Sequence, residues 1–259
     1  MQQIKVLGVS VNTMRISDLH SVITKTVLNN SNTIIANHNL HSIALFHRDE
    51  ELRRFYASVE YIHIDGMSLV KWGQLLGGSL REDHRVTYVD WIHPLMRFAA
   101  ENGWRVYCVG GKPGVGEKAA EVLREEIPEL QIWTHHGYFD TTTDSVENKQ
   151  VVEEINTVAP HILLVGMGMP RQEKWIKANR AALKVHVVLP AGACMDYVAG
   201  AVPTPPRWMG RMGLEWLYRL YSEPKRLAGR YLVEPWTLVP LMARDLWQAK
   251  VVRRNGVAP

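Results

Sequence analysis

The chain has 259 residues, 46% of them apolar, enough for one large α/β domain with an appendage or for two small domains. No apolar run approaches the roughly 20 residues of a membrane span, and the start, MQQIKVLGVSVN, lacks the basic-then-apolar pattern of a signal peptide. The net charge of +4 is matched by one stretch alone, Pro203 to Val233, where Arg207, Arg211, Arg219, Lys225, Arg226 and Arg230 face only Glu215 and Glu223. So focused an excess points to an anionic partner: lipid headgroups, phosphates or nucleic acid.

Short β-branched runs predict strands at Lys5–Val11, Thr33–Ala36, Tyr61–Ile64, Arg105–Val109, Gln131–Thr134, His161–Val165 and Val185–Leu189. Helical periodicity fills most of the gaps, at Ile16–Leu28, Tyr88–Ala100, Val115–Glu126, Val146–Val158 and Pro170–Leu183. This alternation predicts an α/β fold, a mostly parallel sheet with helices on both faces. Cys108 and Cys194 lie apart in apolar strand-like runs and read as buried thiols in a reduced cytosol. Beyond the last strand, Met209, Met212, Trp216, Leu217, Leu220 and Tyr221 recur at helical spacing, interleaved with arginines. Such a surface suits the headgroup zone of a membrane. It equally suits RNA, or a helix packing its apolar face on the domain. We expect a core at 1–202 and a basic-aromatic helical appendage at 203–259.

In open α/β sheets ligands bind beyond the C-terminal ends of strands, and four motifs sit there. Asn37 and Asn39, in Ala-Asn-His-Asn, suit hydrogen bonds to a sugar or base, or a turn and helix cap. Asp65-Gly66 offers a general base, or an ordinary Asp-Gly turn. The run 109–118, with Gly110 and Gly111, resembles a phosphate cradle leading into a helix. It is no Walker A loop. Gly114, Gly116 and Ala119 fit a dinucleotide spacing, but the strand that follows ends without the acid that holds a ribose. The fourth motif runs from Gly166 through Gly168 to Gln172 and Glu173, with Pro170 at the first helical position. There Glu173 serves the ligand or simply the positive helix end. His38, His41, His135 and His136 are too sparse for a metal site, and no Asp-x-Asp pair occurs. Neither metal nor cofactor is expected.

Together these pieces resemble the WecG/TagA/CpsF family of glycosyltransferases (glycosyltransferase family 26), from about Val6 to about Tyr231. The likeness rests on Asn39, Asp65-Gly66, Arg85-Val-Thr with Asp90, Val109-Gly-Gly-Lys-Pro, Gly137-Tyr-Phe, Gly166-Met-Gly-Met-Pro-Arg-Gln-Glu-Lys-Trp, Gly192 with Asp196, and Gly213-Leu-Glu-Trp-Leu-Tyr-Arg-Leu with Glu223-Pro-Lys-Arg. The resemblance implies a Rossmann-like core with a helical C-terminal appendage. It implies inverting transfer of a hexose from a UDP-sugar to an undecaprenyl-diphosphate-linked sugar, in teichoic acid, enterobacterial common antigen or exopolysaccharide synthesis. Asp65 becomes the base, with Asn39 and Arg85 beside it. Asn37, Asp90, Gly110, Gly111, Gly166, Gly168, Gln172, Glu173, Gly192 and Asp196 become substrate contacts. Arg207, Arg211, Arg219, Arg226 and Arg230 become contacts to the diphosphate or lipid surface. Asn37 replaces a frequent Thr, and Tyr88-Val89 replace smaller residues, so N-acetylmannosamine, its uronic acid and glucose all remain candidate sugars. The partners implied are the two substrates and an anionic membrane surface, with no nucleic acid and a homo-oligomer left open. The location implied is cytoplasmic, peripheral on the inner face of the membrane. The rivals are an NAD-dependent oxidoreductase and a non-catalytic RNA- or lipid-binding module.

Overall fold

A computed structural model describes residues 2–254, apart from the side chains of Arg211 and of residues 252–254. The chain opens with an antiparallel hairpin, β1 (Gln3–Val6) and β2 (Val9–Asn12). The sequence predicts one strand here. The structure turns at Leu7 and Gly8, both at positive φ (50° and 79°), the signature of a two-residue hairpin turn. Leucine tolerates that conformation because its side chain is fully buried and its N–H donates to Asp245 Oδ2 at 2.7 Å.

Then follow α1 (Ile16–Leu28), β3 (Thr33–His38), α2 (Leu40–Arg48), α3 (Glu50–Tyr56), β4 (Tyr61–Ile64), α4 (Met67–Leu75) and α5 (Tyr88–Glu101). Next come β5 (Arg105–Gly110), α6 (Val115–Glu126), β6 (Gln131–His135), α7 (Val146–Val158), β7 (Ile162–Gly166), α8 (Arg171–Asn179), β8 (Val187–Pro190) and α9 (Cys194–Val198). The six strands β3 to β8 pair wholly in parallel, in the order β4-β3-β8-β7-β5-β6. Helices cover both faces, as the alternation predicts, in a Rossmann-like arrangement. One apolar cluster joins the sheet to α1, α5, α6 and α9 around buried Trp91. A second joins it to α3, α7 and α8 around Trp175. Pro170 precedes α8 rather than opening it, and the helix stops at Asn179 instead of Leu183. There Asn179 accepts a bond from Asn148 and donates to the Trp175 carbonyl, while its own carbonyl takes the next turn.

The C-terminal segment contains α10 (Arg207–Met212), α11 (Glu215–Ser222), α12 (Pro224–Ala228), irregular helical turns over 229–238 and α13 (Val239–Arg254). Gly213, at φ 79°, ends α10 in a left-handed cap, so the continuous periodicity in sequence becomes two helices. The segment packs on the core. Leu238 joins a third apolar cluster with the hairpin and α4. Asp245 accepts from the Leu7 N–H and from Trp72 Nε1.

All six parallel strands point their C-terminal ends the same way, which brings the sequence motifs to one edge. Those ends are very closely packed. A Cβ on Gly110 would lie 2.3 Å from the Gly166 carbonyl oxygen, and one on Gly166 would lie 2.6 Å from that of Gly192. Gly110→Ala should therefore destabilise the fold by about 1–3 kcal/mol through overpacking, read as a fall in thermal midpoint. An unchanged midpoint would mean the strand ends have slack.

Candidate active site

Two recesses lie along this edge. The larger, about 340 Å³, opens beyond β3 and β4 and is roofed by the C-terminal segment. Asn39 stands at its floor and serves two purposes. Its Oδ1 caps α2 by accepting from Ser42 N at 3.0 Å, and its Nδ2 donates to Asp65 Oδ2 at 3.2 Å. Capping and site readings are thus satisfied by opposite ends of one amide. Asp65 is held by its N–H, which donates to the His38 carbonyl at 2.8 Å. Gly66 takes φ 129°, where a side chain would be strained, and opens α4. Enclosure by protein pushes the Asp65 carboxyl above its ordinary range, against the pull of the Asn39 bond and the charges of Arg219, Arg85 and Arg230. A carboxylate so shifted is a stronger base.

Arg219 and Arg230 enter this cavity from the roof. Each guanidinium lies over a tyrosine ring, Arg219 on Tyr197 at 5.2 Å and Arg230 on Tyr231 at 5.5 Å. Their Nε atoms are buried without a hydrogen-bond partner among the described residues. Burial pulls Arg230 below the usual guanidinium range. Partnerless buried donors of this kind call for an anion.

The remaining sequence candidates divide. Arg85 is buried and bonded to Asp90 Oδ2 at 2.8 Å and Glu215 Oε1 at 2.5 Å. Asp90 also takes Arg207, which donates in addition to the Val89 carbonyl at 2.8 Å. Arg226 pairs with Glu223 and is largely exposed. The side chain of Arg211 lies outside the described residues. Asn37 is buried, its Nδ2 donating to the Pro190 carbonyl at 3.1 Å and its Oδ1 partnerless. Sequence reasoning weighed His41 only as a metal ligand and missed Arg48; both bind buried Glu234 and tie the turns over 229–238 to α2. The signal available was acidic residues near a basic segment, each needing a cation on the core.

The second recess is a crevice of only about 10 Å³ at the ends of β5, β7 and β8, bordered by Gly110, Gly111, Gly166, Gly192 and Asp196. Its N–H groups are mostly spent within the protein. Gly111 donates to the Gly166 carbonyl at 3.1 Å, and Gly168 and Gly192 both donate to Gln172 Oε1, at 3.2 and 3.1 Å. Gln172 and Glu173 are fully buried behind the cleft rather than lining it. Helix α9 links the two recesses: Tyr197, under Arg219 of the C-terminal segment, follows Asp196 of the crevice. Strand β6 ends in His135, with no carboxylate for a dinucleotide ribose.

The model of the glycosyl transferase WecG/TagA/CpsF family matches residues 4–252. The chain belongs to that family. Among curated proteins it is 30% identical, over 167 residues, to N-acetylglucosaminyldiphosphoundecaprenol N-acetyl-beta-D-mannosaminyltransferases of Staphylococcus aureus strains MRSA252, MW2 and NCTC 8325. The match covers 64% of this chain and 63% of each relative, so the chain spans less than two thirds of their length.

Glu173 makes a stability prediction. Burial, against the Gln172 hydrogen bond, raises its carboxyl to about 7 from an ordinary 4.5. The folded protein keeps this proton to higher pH than the unfolded chain, so the group weakens the fold as pH climbs from about 4.5 to about 7. At about 1.4 kcal/mol per unit, the cost at pH 8 is on the order of 3 kcal/mol. Glu173→Gln cannot ionise. It should unfold like the parent near pH 4.5 and resist urea better at pH 8; identical pH profiles would refute the assignment.

Proposed function

We propose that this chain transfers a hexose from a UDP-sugar to an undecaprenyl-diphosphate-linked sugar, with inversion, at the cytoplasmic face of the membrane. The observation that carries this reading is one cavity holding a carboxylate of raised basicity and two arginines with partnerless Nε atoms. Family membership and the printed activity of the relatives support it. The Asp65 carboxylate accepts the proton of the acceptor hydroxyl. The hydroxyl oxygen bonds to the anomeric carbon as the bond from that carbon to the UDP oxygen breaks. Asn39 aims the carboxylate. Arg219 and Arg230 hold phosphate oxygens within the cavity, where low dielectric makes such contacts strong. The nucleotide-sugar lies across the mouth of the crevice at β5, β7 and β8, where the glycines allow close backbone approach. Arg85, Asp90 and Arg207 hold the roof in place rather than touching substrate. N-acetylmannosamine is the first donor to test, on the relatives' name, with its uronic acid and glucose as comparators.

Among the described residues no helix is long and apolar enough to cross a membrane. Trp208, Tyr221, Trp236 and Trp247 are exposed on the C-terminal segment, beside its basic residues. We read that face as the surface that meets anionic lipid and presents the acceptor to the cavity.

Asp65→Asn keeps shape and removes the base. Turnover should fall by roughly 10²–10⁴, followed by mass shift of a lipid-diphosphate acceptor in a UDP-sugar screen; near-parental turnover in a folded variant would reject the role. In the same assay activity should survive excess EDTA, because the sequence has no Asp-x-Asp pair to hold Mg²⁺ and the Asp65 cavity carries two arginines. Loss on chelation and recovery with Mg²⁺ would show a metal carries that charge.

Vesicle binding makes an independent check. Each basic residue near an anionic surface contributes about 1 kcal/mol, screened over about 10 Å at 0.1 M salt. The chain should sediment with phosphatidylglycerol vesicles at low salt and release at high salt. Combined Trp236→Ala and Trp247→Ala should weaken binding further. Equal binding to neutral vesicles would rule out the charged face.

A further inference from the structure

Gln172 sits in the first turn of α8, yet its side chain faces the loops after β7 and β8. One oxygen, Oε1, accepts from Gly168 N at 3.2 Å and Gly192 N at 3.1 Å. Both glycines adopt positive φ, 78° and 56°, with open space where a Cβ would stand. No side chain packs at either glycine, and their two N–H groups share one acceptor. An amide has two ends that differ only in chemistry. If it rotated, its NH₂ would face two N–H donors. What prevents this is Glu173, whose Oε1 accepts from Gln172 Nε2 at 2.7 Å. Glu173 is fully buried, has no cation beside it, and its second oxygen has no partner. A carboxyl kept in so unfavourable a place, with its ionisation suppressed by burial, needs a reason beyond packing.

The reason lies in what the two loops border. Gly192 carries the carbonyl that limits Gly166, and Gly166 carries the one that limits Gly110. Shifting Gly192 would shift the floor of the whole cleft.

We propose that Gln172 and Glu173 are positioning residues for the nucleoside-diphosphate site: Glu173 orients the Gln172 amide, and that single amide oxygen sets the loops after β7 and β8 in the geometry that admits the donor. This rests on the reading of the cleft as the donor site. Neither side chain touches substrate. Their effect is on donor affinity and leaves the acceptor cavity at Asp65 unchanged.

Three variants of the full chain separate the parts. Glu173→Leu removes the acceptor for the amide, Glu173→Gln retains one, and Gln172→Glu keeps the loop-facing oxygen but loses the NH₂. Hydrogen–deuterium exchange reads the loops directly, and calorimetry with UDP reads the cleft. In Glu173→Leu, exchange at Gly168 and Gly192 should quicken and UDP affinity and donor KM should worsen by about tenfold or more, as for a site misplaced by a fraction of an ångström. The acceptor KM should stay the same, and Glu173→Gln should restore the first two readings. In Gln172→Glu two adjoining carboxyls must share a proton, so UDP affinity should fall between about pH 6 and about pH 9 while the parent's holds. That variant also serves if Glu173→Leu fails to fold. Parental exchange in Glu173→Leu, or a pH profile of Gln172→Glu parallel to the parent's, overturns the proposal. If the parent itself binds no UDP while the exchange contrast stands, the donor reading fails, and the positioning role with it, leaving a purely structural staple.

Discussion

Arg85 is the ion on which the site's architecture turns. Its buried guanidinium bridges Asp90 at the start of α5 and Glu215 at the start of α11, so core and C-terminal segment share one cation. Loss of Arg85 would sever Glu215 from the core, while Asp90 would keep Arg207. Around it lie further ties: Arg207 to Asp90, Lys71 Nζ donating to the Met212 carbonyl at 2.9 Å, and His41 with Arg48 on Glu234. These contacts seat the roof over Asp65. Without the roof the cavity would lose Arg219 and Arg230, and Asp65 would face water with its basicity reduced.

The roof also resolves a conflict in the basic segment. An excess of positive charge repels itself, and a surface built only of arginines would stand off the core. Its acids are placed where the core offers cations. Glu215 meets Arg85, and Glu234, just beyond the basic stretch, meets His41 and Arg48. Among the described residues of the segment, Arg207 pairs with Asp90 and Arg226 with Glu223, while Arg219 and Arg230 face the cavity.

At the other recess the same residues meet two demands. The strand ends approach so closely that a Cβ on Gly110 or Gly166 would strike backbone, so those glycines are required by packing whatever they bind. Their absence of side chains also leaves the backbone bare toward the cleft. A single substitution there disturbs fold and site together, whereas Gly168 and Gly192 have open space where a Cβ would stand and donate their N–H groups to the Gln172 oxygen.

The strands and helices of the core were legible because burial on a parallel sheet forces short apolar runs, and helices on its faces force a 3.6 period. The gathering of these motifs was legible for the same reason: parallel strands deliver the loops at 39, 65, 110, 166 and 192 to one edge. Local pattern does not show which polar groups are already engaged by other residues. Leu7 turns a hairpin because Asp245 waits for its N–H. Arg85 and Asp90 look like site residues, but Glu215 and Arg207 occupy them. Gln172 lies in a motif beside the cleft, yet its amide is spent on two glycines. Local pattern fixes which face of an element is apolar, and so determines the layers. Whether a polar side chain faces a ligand or another residue depends on contacts more than a hundred residues away, as from Arg85 to Glu215, and only the packed tertiary structure decides that.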